Sequence, residues 1–147
     1  MVNDERDKPV IIHRHAIALD KGDKAGYGGN THTRKENPMA LIHAQPFDVI
    51  SLKPLAGKLH EVKTHSLLKT GQLQLMRVVM AAGQSMPEHH VAGEITVQCL
   101  EGKVLISTPG RSCALVAGEL MVLPAHEPHG LKALADSSLL VTVLLDP

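Results

Sequence analysis

From Phe47 onward the chain is a succession of short apolar runs cut by turns: FDVISL, KLHEVKTHSLL, QLQLMRVVMA, EITVQCLEG, KVLIST, CALVA, ELMVLP, GLKALA and SLLVTVLL. Pro54, Gly57, Gly71, Gly83, Gly102, Pro109-Gly110, Gly118 and Pro124 punctuate them, and no run sustains an apolar stripe of helical period over a helical length. Many short strands at this spacing predict a sandwich or barrel. In one run Leu73, Leu75 and Arg77 alternate with Gln72, Gln74 and Met76, so a cation interrupts an apolar face. The favoured reading is an edge arginine in solvent; the alternative points it into a cavity. Residues 1–45 differ. KGDKAGYGGNTHTRKENP mixes glycine, charge and turn formers without a period, which predicts an irregular arm, poorly structured or in contact with a second subunit, ahead of one domain over 46–147.

Composition narrows the partners. At 147 residues the chain has the size of one domain with its own core. Fifteen basic and fifteen acidic side chains cancel, so bulk charge argues for neither a nucleic acid nor an anionic membrane, and the expected partner is a small-molecule ligand or substrate. No apolar run approaches a membrane span, and the charged start MVNDERDK leads into no apolar leader. A cytoplasmic protein is the default expectation. Cys99 and Cys113 are too few for a disulfide framework and are read as buried thiols. Tyr27 and Phe47 are the only aromatic rings; neither lies beside the candidate site segments, which weakens a carbohydrate or nucleobase reading.

The chemistry is concentrated in GQSMPEHHVAGEITVQCLEG, from Gly83 to Gly102, and in GELMVLPAHEPHG, from Gly118 to Gly130. Together they resemble the two motifs of the cupin family. The first, G(X)5HXH(X)3-4E(X)6G, is matched at Gly83, His89 and Gly102. Its interior slips: in strict register Val91 holds the second histidine position and Ile95 the glutamate position, while His90 and Glu94 each stand one residue early. In a strand one residue reverses the face, yet the two slipped groups keep the His-x3-Glu spacing between themselves. Ala92-Gly93 just before Glu94 is a place for a bulge, so the offset is either a local bulge or a degraded site. The second motif, G(X)5PXG(X)2H(X)3N, is matched at Gly118, Pro124 and His129, with His126 in place of its second glycine and Ala133 in place of its asparagine. A histidine tolerates the positive φ of such a turn better than most residues.

The resemblance spans about residues 71–145 and implies an all-β double-stranded β-helix, the RmlC-like jelly-roll barrel, often paired as homodimers. It also implies a divalent transition metal (Fe, Mn, Ni or Zn) held by His89, Glu94 and His129, with His90 a possible fourth ligand. Imidazole nitrogens with one carboxylate suit such ions and leave positions open for substrate or dioxygen. Each candidate has a competing reading: His89 and His90 as surface residues after a turn, Glu94 as a solvent-facing strand-edge charge, His129 as a barrel-mouth histidine. Cys99 reads as a buried small hydrophobe and Glu88 as a solvated carboxylate. His13, His15 and His32 sit on no recognisable scaffold, and His60 and His65, five apart and so on opposite faces of a regular strand, receive no role.

Two functional classes follow. One is a small metal-dependent enzyme, dioxygenase-like, acting on a small organic molecule; the other is a non-catalytic cupin that binds a small metabolite with metal weak or absent. The first needs Glu94 inside the barrel; an outward Glu94 favours the second. Sugar-nucleotide epimerisation is a lesser candidate, because the only tyrosine, Tyr27, is remote from the site segments.

Overall fold

A computed structural model describes the backbone of strand β1 (Ile11–Ile12) and residues 43–145. The arm expected over 1–45, with His13, His15, Tyr27 and His32, therefore falls largely outside the described residues. The strands that follow are β2 (Val49–Ile50), β3 (His65–Lys69), β4 (Leu73–Met80), β5 (Ser85–His89), β6 (Ile95–Glu101), β7 (Lys103–Thr108), β8 (Arg111–Val116), β9 (Leu120–Leu123), β10 (His129–Ala133) and β11 (Ser137–Leu144), with a 3₁₀ segment at Ala56–Glu61 before β3. A four-stranded sheet, order β5-β10-β7-β8, faces a five-stranded one, order β3-β4-β11-β6-β9. All pairings are antiparallel, and β1 pairs with β2 through Ile11↔Ile50 and Ile12↔Val49. This is an all-β architecture of two facing sheets, as the punctuated apolar runs predict, and it is the jelly roll that the resemblance implies. Among the described residues, no helix is long and apolar enough to cross a membrane.

The core follows from strand alternation. Ile95, Val97 and Cys99 of β6, Val104 and Ile106 of β7, Leu131 and Ala133 of β10 and Leu139 of β11 turn inward and pack with Val78 and Met80 of β4. Each of the Val, Ile, Leu and Met side chains contributes roughly 1.5–3 kcal/mol on burial. Cys99 is fully buried in this cluster, as expected of a small hydrophobe. Its thiol lies against the Glu101 carbonyl at 3.3 Å, and burial pushes its pKa up. Cys113 is free as well, though only half-buried.

Two readings are corrected. The run 58–68 is not one strand: His60 lies in the 3₁₀ segment and His65 opens β3. His60 Nε2 meets Asp136 Oδ2 at 2.7 Å on the surface. Arg77 is no edge residue either, because β4 runs between β3 and β11, and it is 5% exposed. Met76, Val78 and Met80 face the core, so Arg77 lies on the outer face of the larger sheet, beneath the segment that leads into the 3₁₀ turn. There its guanidinium donates to the Lys53 carbonyl at 2.6 Å and to Ser138 Oγ at 3.3 Å. Glu101 completes the cluster, accepting from Leu55 N–H at 2.7 Å, Ala56 N–H at 2.9 Å and Ser138 Oγ–H at 2.7 Å; its Oε1 stands 4.0 Å from Arg77. Burial alone would raise the Glu101 carboxyl, but its hydrogen bonds and the Arg77 charge outweigh that and hold it below the ordinary range.

Candidate metal and ligand site

The glycines that frame the two motifs occupy turns that need them: Gly83, Gly102 and Gly118 have φ of 83°, 82° and 90°. His126 takes the same conformation at φ 63°, as expected where the second motif replaces glycine by histidine. Its N–H donates to the Val91 carbonyl at 2.9 Å, so the two motif segments are joined by a backbone bond at the barrel mouth.

His89 ends β5 and His129 begins β10, and they stand opposite one another across the ladder. Their ring centroids are 4.4 Å apart at an interplanar angle of 57°. His89 is exposed, whereas His129 is 3% exposed. Each ring has Nδ1 beside a carbonyl two residues earlier, Pro87 O at 2.9 Å for His89 and Glu127 O at 2.8 Å for His129. A carbonyl only accepts, so Nδ1 carries the proton in both bonds, and in the neutral ring Nε2 presents a lone pair. His65 makes the same contact with Lys63 O at the start of β3, which marks the arrangement as local strand geometry rather than a signature of metal binding.

The remaining two expected ligands stand elsewhere. Ile95, at the strict glutamate position of the first motif, is a core residue at 3% exposure. Glu94 precedes it on the opposite parity and is exposed, while its carbonyl accepts the Leu144 N–H at 3.0 Å. Gly93 fixes that register, because a Cβ there would overlap the Leu144 carbonyl. The segment 90–94 thus crosses to β6 with its carboxylate turned outward, and no bulge brings it back. His90 is exposed and faces His126 instead, ring centroids 6.3 Å apart. Among the described residues no three His, Cys, Asp or Glu side chains converge as a metal-holding group.

Among the described residues the donor set therefore falls short of the two-histidine, one-carboxylate arrangement that the resemblance implies. Two imidazoles that share an ion at about 2.0–2.1 Å and a cis angle have centroids roughly 4–5 Å apart, so the His89/His129 pair could offer two cis ligands. The third, the carboxylate that suits Fe, Mn or Zn in such a site, is absent from the set.

Residues 76–145 match the Cupin domain family. The chain carries a cupin domain. Among solved structures, this cupin resembles a cupin superfamily protein from Desulfitobacterium hafniense (TM-score 0.55, 23% identity, 56% of this chain and 76% of that one). It is also similar to an RmlC-like cupin from Desulfovibrio desulfuricans (TM-score 0.52, 26% identity, 55% and 79%) and to a conserved protein of unknown function from Streptococcus pyogenes (TM-score 0.54, 24% identity, 57% and 74%). None of the curated proteins matches the sequence.

At the turn that carries Glu127 the cupin barrel holds a cleft of about 340 Å³. It lies between β7 and β8 of one sheet and β9 with the following turn of the other. Ile106, Met121 and Leu123 wall it, and Thr108, Arg111 and Glu127 stand at its polar end. Glu127 links it to the pair, since its carbonyl takes the His129 Nδ1–H. Sequence reasoning passed over this cleft. The available signal was alternation: Arg111 shares the parity of Cys113 and Leu115, which turns a cation toward the inter-sheet space.

Proposed function

We propose that this cupin is a non-catalytic module that binds a small metabolite at the barrel mouth, with any divalent metal held only weakly by His89 and His129. The observation that supports this reading is the exchange at the first motif: Ile95 points inward where the family pattern has its glutamate, and Glu94 is exposed. A dioxygenase-like site of the two-histidine, one-carboxylate kind would need a carboxylate at the place Ile95 occupies. Two histidines with free Nε2 lone pairs and a largely aliphatic cleft are suited to orienting a small guest.

The test is a thermal-shift screen of the full chain against a metabolite library, run with and without EDTA. Stabilising ligands whose effect survives chelation are expected. Hits that vanish with EDTA and return with one metal would overturn the reading in favour of a metal-dependent site.

A homodimer is part of the proposal. The outer face of the larger sheet leaves Leu120, Val122 and Leu144 exposed at 52, 59 and 48%, all on the side away from the core by the ladder register, and uncovered aliphatic surface favours association. Sedimentation of the parent and of Val122→Lys tests it: a dimer that the charge dissociates is expected, and a monomeric parent would end it.

A further inference from the structure

We infer that the cleft at the Glu127 turn takes a small zwitterion, a molecule with one carboxylate, one ammonium group and a short aliphatic body. The inference rests on the ligand-binding reading above and adds the class of ligand.

At about 340 Å³ the cleft is near the lower end of ligand-site volumes, which limits the guest to a small molecule. Its walls are the aliphatic side chains of Ile106, Met121 and Leu123, and no aromatic ring lines it, so a sugar or nucleobase would find no stacking surface. Two opposite charges border it: Arg111 is its only cation and Glu127 its only anion. Among the described residues neither forms an ion pair.

Both charges stand on fixed backbone. Thr108 Oγ–H donates to the Arg111 carbonyl at 3.3 Å across the turn between β7 and β8. Glu127 is held at both ends, its N–H donating to Pro124 O at 3.3 Å and its carbonyl accepting from His129. A guanidinium favours a carboxylate through paired hydrogen bonds, and a carboxylate favours an ammonium group. A ligand with a single charge would leave one of the two protein charges unmatched, and a dianion would meet Glu127. A zwitterion satisfies both while its aliphatic part lies along Met121 and Leu123.

The experiment is calorimetry on the full chain with leucine, 4-methylpentanoate and 3-methylbutylamine, which present both charges, the carboxylate alone and the amine alone on one aliphatic skeleton. Leucine is expected to bind at least tenfold tighter than either analogue. Arg111→Gln and Glu127→Gln should each abolish that preference while leaving ligand-free melting unchanged, because both side chains are at the rim. Equal binding of an analogue, or a variant without effect, would overturn the zwitterion and leave a ligand-binding module standing. If none of the three binds, the metabolite screen separates the two failures: stabilisation by another chemical class removes only the zwitterion, and no stabilisation at all removes both readings.

Discussion

Two polar constellations in this barrel invite comparison. Under the segment leading to the 3₁₀ turn, Arg77, Glu101 and Ser138 share hydrogen bonds with one another and with three backbone groups, at 14% side-chain exposure for Glu101 and 6% for Arg77. At the barrel mouth, His89 and His129 each commit one nitrogen to a neighbouring carbonyl and keep the other lone pair uncommitted. The first set serves mainly to hold a strap onto the sheet, with the buried Arg77 Nε–H left without a partner. The second has bonding capacity to spare, and that capacity is what a ligand can use.

The largest effect should come from cutting the first set. Glu101→Ala leaves the Arg77 guanidinium buried without its counter-charge and releases two strap N–H groups, which should cost about 3 kcal/mol in urea unfolding. A loss below about 1 kcal/mol would mean that the strap holds without it.

His129→Ala is next. It removes a buried ring and its bond to Glu127, and a destabilisation of about 1–2 kcal/mol is expected by the same measurement.

A pH titration of melting reports on the carboxylates, Glu101 of the first set among them. The Glu101 and Asp136 carboxyls lie below their ordinary values in the fold; for Asp136 the cause is first the Ala82 N–H bond and then His60. The unfolded chain therefore takes up protons first as pH falls. The stabilisation is fully present above about pH 4.3, the ordinary carboxylate range, and is lost as pH drops through the lower folded values. Glu101→Gln should flatten this acid limb, whereas His89→Ala should leave it unchanged. The smallest effect belongs to His89→Ala in unliganded stability, within about 0.5 kcal/mol, since the ring is exposed.

The strands from β6 to β11 were legible because they carry period-two runs, all but β10 closed by glycine or proline, and the positive φ at His126 followed from motif spacing alone. Strand β5 was not legible: SMPEH contains a proline and a single half-buried residue, Met86, and an edge strand can pair without an apolar face. The burial of Arg77 was hidden because its partner Glu101 is 24 positions away, and periodicity carries no information about what covers a sheet's outer face. At the site, the sequence singled out His89 and His129, whose rings stand 4.4 Å apart across the ladder. The face of Glu94 depended on whether Ala92-Gly93 formed a bulge, and the Gly93 contact with the Leu144 backbone, a partner some fifty residues away along the chain, settles the register.

The account turns on the claim that two histidines without a carboxylate do not retain a metal. Elemental analysis of untagged protein purified without chelator, alongside the His89→Ala/His129→Ala double variant, tests it most directly. The account predicts metal far below one ion per chain in both proteins, with only weak, rapidly reversible uptake by the parent on adding Fe, Mn, Ni or Zn. Close to one ion per chain in the parent, retained through dialysis and lost in the double variant, would contradict it.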